Sequence, residues 1–302
     1  MAVSITLTQL RTYLVVAETG SVRATAERLV VTQSAVSAAL AGLQRSLGVA
    51  LTRPRGRGLA LTEAGEVYAR HVRTALGLLE QARVAAAGEV DPERGQLRLA
   101  AVTTAGEQIL PGLLAGFRRS HPQAGLLLEV GNRARVWELL DGHEVDLVLG
   151  GRPAPGRNLV VHAMRPNELV VLAPPELGRA ATRPIVSWLG EQHWLLREPG
   201  SGTRETTGAL LAGLELAPRT LTVGSNVAVR ESVVAGLGVT LMSRDAAARE
   251  LAEGTLVEVA TPLTPLHRDW CVVAHPGRLP ATAALFLAHL LETAFHPPSG
   301  AP

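Results

Sequence analysis

Three groups of residues in this chain have the types and spacing to do chemistry, and in each case that chemistry is the holding of an anion. The run Arg197-Glu-Pro-Gly-Ser-Gly-Thr-Arg204 combines two glycines, two hydroxyls and a fixed positive charge. The glycines allow a ligand close to the backbone. At a helix start, such a loop offers unpaired N–H groups and partial positive charge to a small oxyanion. Ser201, Gly202, Thr203 and Arg204 are therefore candidate contacts, and Thr103, Thr104, Asn132 and Gly150, at the ends of expected strands, are candidates to join them. Asn226, after Gly224-Ser225, offers an amide that could equally be a helix cap. A second group is Arg53, Arg55 and Arg57, in a Gly- and Arg-rich tip between short apolar arms. The third is Thr32, Gln33, Ser34 and Ser37, small polar side chains at one helix start. Such side chains reach base edges and phosphates in a groove about 12 Å wide.

Motifs for covalent or cofactor chemistry do not appear. The chain has no Lys, so it cannot supply the Gly-Lys-Ser/Thr of a phosphate-binding P-loop. The Gly200–Gly202 pair lacks the third glycine of a dinucleotide fingerprint, and the nine His form no His-Glu-x-x-His. Ser201 lacks a nucleophile-elbow sequence. Cys271 is the only cysteine, which excludes an intrachain disulfide and a Cys-based zinc cluster. No enzyme activity, no cofactor and no metal are expected.

The 302 residues carry a formal charge of +2, unevenly spread. Residues 1–88 hold ten Arg against five Asp/Glu, a net of +5, while the remainder is −3. A basic front on a mildly acidic body suits a module that meets a polyanion. No secretory leader and no run of about 18 apolar residues is visible. A cytoplasmic protein with no membrane partner is expected, and one lone thiol suits a reducing compartment.

The elements that must position these groups follow from periodicity. Leu7, Leu10, Leu14 and Ala17 predict a helix over 8–18 that Gly20 stops. Ser21 caps a second helix carrying Val22, Ala26 and Leu29. Thr32 caps a third, with Val36, Leu40, Leu43 and Leu47 inward and Gly48 at its end. Three short helices with a tight second connection form a helix-turn-helix pattern, or an ordinary three-helix bundle with a polar surface. Leu51-Thr-Arg-Pro-Arg-Gly-Arg-Gly-Leu-Ala-Leu-Thr62 reads as a β-hairpin wing whose arginines would lie near a duplex backbone or minor groove. Thr62 then caps a long helix. Tyr68, Val72, Ala75, Leu79, Ala82 and Ala86 form a heptad seam along it, which predicts pairing with its own copy. The alternative partner for that seam is the chain's own C-terminal part.

Residues 89–95 form a polar hinge, and strands then alternate with helices. Strands are expected at Gln96–Thr103, Gly125–Val130, Asp146–Leu149, Leu169–Ala173, His193–Arg197, Thr220–Val223, Val239–Met242 and Asp269–Val273. Helices are expected at Gly106–Ser120, Ala134–Leu140, Thr203–Leu214, Val227–Val234 and Ala281–Phe295, with a disordered tail from His296 to Pro302. This alternation implies parallel sheets with crossover helices. Ligands of such sheets bind at the carboxyl ends of strands.

The run Gly20-Ser-Val-Arg-Ala-Thr-Ala-Glu-Arg-Leu29, then Thr32-Gln-Ser-Ala-Val-Ser37, Leu40, Leu43, Leu47-Gly48, Arg53 and Leu61-Thr-Glu-Ala-Gly65 resembles the DNA-binding signature of the LysR family over about sixty residues. Two positions depart from it. Ala38 replaces a usual polar or basic residue, suggesting fewer base contacts, and Thr52 replaces a usual aromatic, suggesting a looser wing base. Leu110-Pro111, Phe117, His121-Pro122, Asp146-Leu147 and Val233-Val-Ala-Gly-Leu-Gly-Val-Thr-Leu241 are similar to the family's effector domain.

The resemblance implies an α/β architecture in three parts. A winged helix-turn-helix occupies 1–62, with Thr62 joining the DNA-facing set, and a dimerising linker helix occupies 63–90. A periplasmic-binding-protein-like effector domain fills 91–302, with lobe I at about 96–166 and 267–296 and lobe II at about 167–266. It further implies a transcription regulator that binds a pseudo-palindromic double-stranded operator and is itself a homodimer or homotetramer. RNA polymerase is a further partner it allows. The effector would be a small oxyanion, carboxylate or phosphate. The Arg197–Arg204 loop is similar to that of members governing sulfur assimilation or carbon-fixation operons. A solute-binding α/β protein without specific DNA binding, and a repressor that needs no ligand, remain as alternatives.

Overall fold

The computed structural model describes residues 5–179, 181 and 184–298, apart from the side chains of 85 and 87–90. In chain order the elements begin with α1 (Leu7–Thr19), α2 (Val22–Leu29), α3 (Gln33–Leu47), β1 (Thr52–Arg55), β2 (Gly58–Leu61) and α4 (Glu63–Val90). Then come β3 (Gln96–Val102), α5 (Thr103–Gln108), α6 (Leu110–Ser120), β4 (Gly125–Gly131), α7 (Arg133–Asp141), β5 (Leu147–Gly150) and β6 (Val160–Arg165). The next stretch holds β7 (Glu168–Ala173), α8 (Pro175–Arg179), α9 (Ile185–Glu191), β8 (Trp194–Arg197), α10 (Gly202–Gly213), β9 (Thr220–Val223) and α11 (Asn226–Val234). The chain ends with β10 (Thr240–Ser243), α12 (Ala248–Glu253), β11 (Val257–Val259), β12 (Leu266–His267), β13 (Trp270–Ala274) and α13 (Ala281–Thr293). Two units emerge, one up to Arg83 with Asp141–Glu144, the other holding the rest from Val84 onward.

In the first unit, Tyr13, Val16, Ala26, Val36, Leu40, Leu43, Leu51 and Ala69 close one apolar core. Side-chain caps fix the starts of α1, α2 and α3: Thr6 accepts from Gln9 N–H, Ser21 from Ala24 N–H and Thr32 from Ala35 N–H. β1 and β2 pair antiparallel in register from Thr52–Leu61 to Arg55–Gly58. Glycine is required where this hairpin docks. A Cβ on Gly65 would stand 2.0 Å from the Leu51 carbonyl oxygen, and one on Gly58 2.6 Å from that of Gly20. The Gly20 carbonyl accepts from Leu59 N–H at 2.7 Å, which ties the wing to the end of α1.

In the second unit, one sheet has the order β4-β3-β5-β13-β6. In the other, β7 pairs with β10, β11 and β12. The parallel β8–β9 pair joins it through bonds between Leu195 N–H and the Val239 carbonyl and between Val239 N–H and the His193 carbonyl. These sheets are not parallel throughout, contrary to expectation. β13 runs antiparallel to β5 and β6, and β7 antiparallel to β10, β11 and β12. Parallel neighbours need a crossover that packs back on their own sheet. The chain instead leaves the first sheet at β6 and enters the second after only two intervening residues, returning from β12 to β13.

Other differences have local causes. The helix expected at Gly106–Ser120 is two, broken at Ile109, because Pro111 lacks an N–H and its ring crowds the carbonyl four residues back. β6, α8, α9, β11 and β12 were not expected. His296 is ordered and exchanges two 2.8 Å backbone bonds with Met164, whereas 299–302 lie outside the described residues. A buried ion pair, Arg98 to Asp146 at 2.6 Å, joins β3 to the residue before β5.

Candidate functional site

In the first unit, α3 turns Val36, Leu40 and Leu43 inward and leaves Gln33, Ser34 and Ser37 exposed at its start. The Thr32 hydroxyl is the helix cap and also pairs with the Ser34 hydroxyl at 2.9 Å. Arg53, Arg55 and Arg57 are all exposed, and no ion pair to any of them exists among the described residues. Two other exposed arginines of this unit are neutralised: Arg23 by Glu27 at 2.9 Å and Arg28 by Glu18 at 2.7 Å. The three wing cations are thus free charges on one hairpin.

Thr62 has a fold role. Its hydroxyl donates to the Ala50 carbonyl at 2.8 Å and accepts from Gly65 N–H at 3.0 Å. Gln44, not singled out in the sequence, accepts from Leu51 N–H at 2.7 Å and Thr52 N–H at 3.1 Å. This clamp steadies the wing base where Thr52 replaces an aromatic.

Along α4 the six seam residues divide. Tyr68 packs against Tyr13 with the rings tilted and their centroids 5.7 Å apart, and Val72 is buried. Ala75, Leu79, Ala82 and Ala86 are exposed, as is Leu78 beside them.

The second unit contains a small cleft between its two sheets. Thr103 follows β3, Asn132 follows β4 and Ser201 follows β8, so the cleft lies at strand carboxyl ends. Thr103, Thr104, Asn132, Ser201, Gly202 and Thr203 are brought together there. Two candidates are elsewhere. The Arg204 guanidinium turns away to the Arg197 carbonyl at 2.6 Å and the Thr222 hydroxyl at 3.1 Å. Gly150 is buried against Val102, and Gly151 forms the wall instead.

The polar groups are held firmly. Asn132 caps α7 by accepting from Arg135 N–H at 3.0 Å. Asn226 donates to the Thr104 hydroxyl at 2.7 Å and accepts from Arg197, spanning the cleft. Ala134 N–H meets the Gly200 carbonyl at 3.2 Å, a second bond across it. Asn167 accepts from Ser243 at 2.6 Å and donates to the Arg268 carbonyl at 3.0 Å. Ser201 is the N-cap of α10 and only 4% exposed, yet its hydroxyl makes no capping bond.

Arg133, Arg197 and Arg268 also line the cleft, with Asp269 as the one carboxylate among its lining residues. Burial, and then the nearby Arg133 charge, push the Arg268 pKa down from the usual arginine range. Sequence reasoning missed Arg133, Arg268, Asn167 and Ser243. Arg133 had a usable signal, standing next to Asn132 at a helix start. Arg268 had none, because it reaches the cleft only through the return from β12 to β13.

Comparison with known proteins fits this division. Residues 7–66 match the bacterial regulatory helix-turn-helix of the lysR family, and residues 91–294 match the LysR substrate binding domain. The HTH-type transcriptional regulator YeiE of Escherichia coli K12 is 36% identical over 273 residues, 90% of this chain and 92% of its own. The regulatory domain of CcmR from Synechocystis PCC6803, solved in complex with 2-PG, is 28% identical with a TM-score of 0.61. It covers 66% of this chain and 97% of its own. CbnR, solved full-length with its target DNA, has the same fold, with a TM-score of 0.68 at 21% identity over 96% of this chain and 100% of its own. Among the described residues no helix is long and apolar enough to cross a membrane. The chain belongs to the LysR family of transcriptional regulators, with its helix-turn-helix domain and its effector-binding domain.

Proposed function

We propose that this regulator acts in the cytoplasm and is switched by a small anion bound in the cleft of its C-terminal domain. The observation that carries the reading is Ser201. It is nearly buried, heads a twelve-residue helix, and keeps a hydroxyl that the helix does not use. Helix N-termini favour negative charge through unpaired N–H groups and the aligned peptide dipoles. Thr103 and Thr203 add hydroxyls to the same lining. The 2-PG held by the CcmR regulatory domain, a related protein, supports an anionic ligand here.

DNA is met by Gln33, Ser34 and Ser37 at the start of α3 and by the wing arginines, with Thr32 and Thr62 fixing the geometry between them. Two chains pair along the exposed stripe Ala75, Leu78, Leu79, Ala82 and Ala86, and present two recognition helices to a pseudo-palindromic site. Further assembly to a tetramer and contact with RNA polymerase extend the same reading. Effector binding shifts the DNA-bound arrangement because it favours one arrangement over another.

The test is an anisotropy titration on the regulator's own upstream intergenic DNA at fixed salt with excess nonspecific competitor, with and without 2-PG, sulfate, sulfite or thiosulfate. The reading expects competitor-resistant binding that one of these anions changes. Ser201→Trp or Thr103→Trp then removes the anion response while the DNA is still bound. An anion response that persists in both variants overturns the cleft assignment.

A further inference from the structure

The cleft carries an unbalanced pair of charges, whose role as a ligand contact rests on the cleft being the effector site. Arg133 begins α7 on one side, and Arg268 lies on the return from β12 to β13. Both line the cleft, and the charge of Arg133 is felt at Arg268. Arg268 donates to the Gly202 carbonyl at 2.7 Å and to the Thr206 hydroxyl, both neutral partners. Arg133 reaches the Arg152 carbonyl and the Glu205 carboxylate, each at 3.5 Å. Glu205 is 61% exposed, and Asp269, the carboxylate of the lining itself, faces Arg152 at 3.9 Å, so neither is a close counter-ion for the pair.

The two buried arginines of this unit, Arg98 and Arg197, are matched far more closely than this half-buried pair. Arg98 meets Asp146 at 2.6 Å, and Arg197 meets Glu198 through two bonds of 2.8 and 2.9 Å. Space is also reserved for the unmatched head group. A Cβ on Gly202 would stand 2.9 Å from Arg268 Nη2, and one on Gly151 3.1 Å from the same atom. The unspent Ser201 hydroxyl lines the same cleft. Withdrawing a guanidinium from water without a close counter-ion is unfavourable, so this arrangement is completed by an anion from solution.

We propose that Arg133 and Arg268 are the charge-reading pair of the cleft and that they select a divalent oxyanion, free or as the terminal group of a small acid. Two planar forks match the oxygens of a tetrahedral group. Glu205 is the built-in competitor. It lies mostly in water, so a dianion displaces it at little cost, whereas a monocarboxylate only repeats what Glu205 already offers.

The experiment is isothermal titration calorimetry of the full chain at constant ionic strength, with sulfate, inorganic phosphate and acetate as probes. Sulfate and phosphate should bind saturably, and acetate at least ten-fold more weakly. Losing one charge-assisted bond should weaken sulfate by roughly ten- to hundred-fold in Arg133→Gln. Glu205→Gln should bind sulfate several-fold tighter than the unaltered chain. Arg268→Lys, which keeps the charge but not the fork, should fall between Arg133→Gln and the unaltered chain. Far-UV circular dichroism establishes that each variant is folded. If none of the probes binds the unaltered chain, the small-anion reading of the cleft falls with this one. If sulfate binds, survives Arg133→Gln and is lost in Ser201→Trp, the effector site stands and the arginine pair is wrong. Equal binding of acetate and sulfate also overturns the proposal.

Discussion

Replacing Arg53, Arg55 and Arg57 together by Ala should flatten the salt dependence of DNA binding and leave the fold intact. The three side chains are exposed and make no ion pair among the described residues, so their removal costs little packing. Each cation that meets a phosphate contributes about 0.9 to the slope of log K against log salt. Six such cations on two wings contribute roughly five. Between about 50 and 200 mM salt, a fourfold change, that slope alone amounts to roughly three orders of magnitude in affinity. Fluorescence anisotropy on the upstream duplex and on a scrambled duplex, across that salt range, measures it. The triple variant should lose affinity for both duplexes, because phosphate contacts carry no sequence information. Arg23→Ala and Arg28→Ala are the controls. Those arginines already face Glu27 and Glu18, so their slopes should stay near that of the unaltered chain. An unchanged slope in the triple variant would refute the placing of the wing on the DNA backbone.

Three further variants probe the first unit. Burial, and then the neighbouring Tyr68, push the Tyr13 pKa up to about 12. The neutral phenol is therefore favoured in the fold, and its contribution is complete below pH about 10 and lost as pH rises toward 12. That loss is roughly 2–3 kcal/mol, and Tyr13→Phe should abolish it in alkaline unfolding monitored by circular dichroism. At neutral pH the same variant should cost about 1 kcal/mol, because the hydroxyl donates to the Gly65 carbonyl at 2.6 Å. Gly65→Ala should destabilise the winged helix by about 1–3 kcal/mol or more in thermal unfolding, because the 2.0 Å approach to Leu51 is to backbone. Val30→Asn should stabilise it by about 1 kcal/mol, raising its melting temperature by roughly 4–8 °C in calorimetry. Val30 is 90% exposed with φ +56°, so a branched side chain strains the backbone there and packs on nothing.

The sequence was most legible where structure is local. Ser21 and Thr32 are caps, Gly20 and Gly48 are left-handed ends, and the hairpin lies where the Gly-Arg tip placed it. All of these depend on residues within a few positions. The long helix was also readable, but its seam was not uniform. Tyr68 packs against the winged-helix core and Val72 is buried, which periodicity alone cannot separate from an outward stripe. In the second unit, most strands and helices appear near their expected places, yet strand direction was misjudged. Alternation reveals elements but not the point at which the chain changes sheets. The cleft was half legible for the same reason. Loops at strand ends announced Thr103, Asn132 and Ser201, while Arg268 arrives from 66 residues beyond Gly202, its bonding partner. Arg204 looked like the charged contact because charge is visible in a sequence and direction is not.

The two sites place the same side chain, arginine, in opposite solvents, and this explains how one chain can bind two anions differently. On the wing, the guanidinium groups stay in water, so leaving them unpaired costs little, and their attraction to phosphates is long-ranged and salt-screened. On the proposed reading, that gives affinity for any duplex and leaves base choice to the start of α3. In the cleft, Arg133 and Arg268 are largely withdrawn from water. An unpaired charge is expensive there, and geometry as well as charge decides what can satisfy it. The cleft is also held shut by the Asn226–Thr104 and Ala134–Gly200 bonds. A ligand can change the domain only by the difference between its affinities for the shut and open arrangements. A strongly bound anion that left those two bonds untouched would regulate nothing. On the proposed reading, the Thr104–Asn226–Arg197 chain is where occupancy of the cleft would become a change in shape.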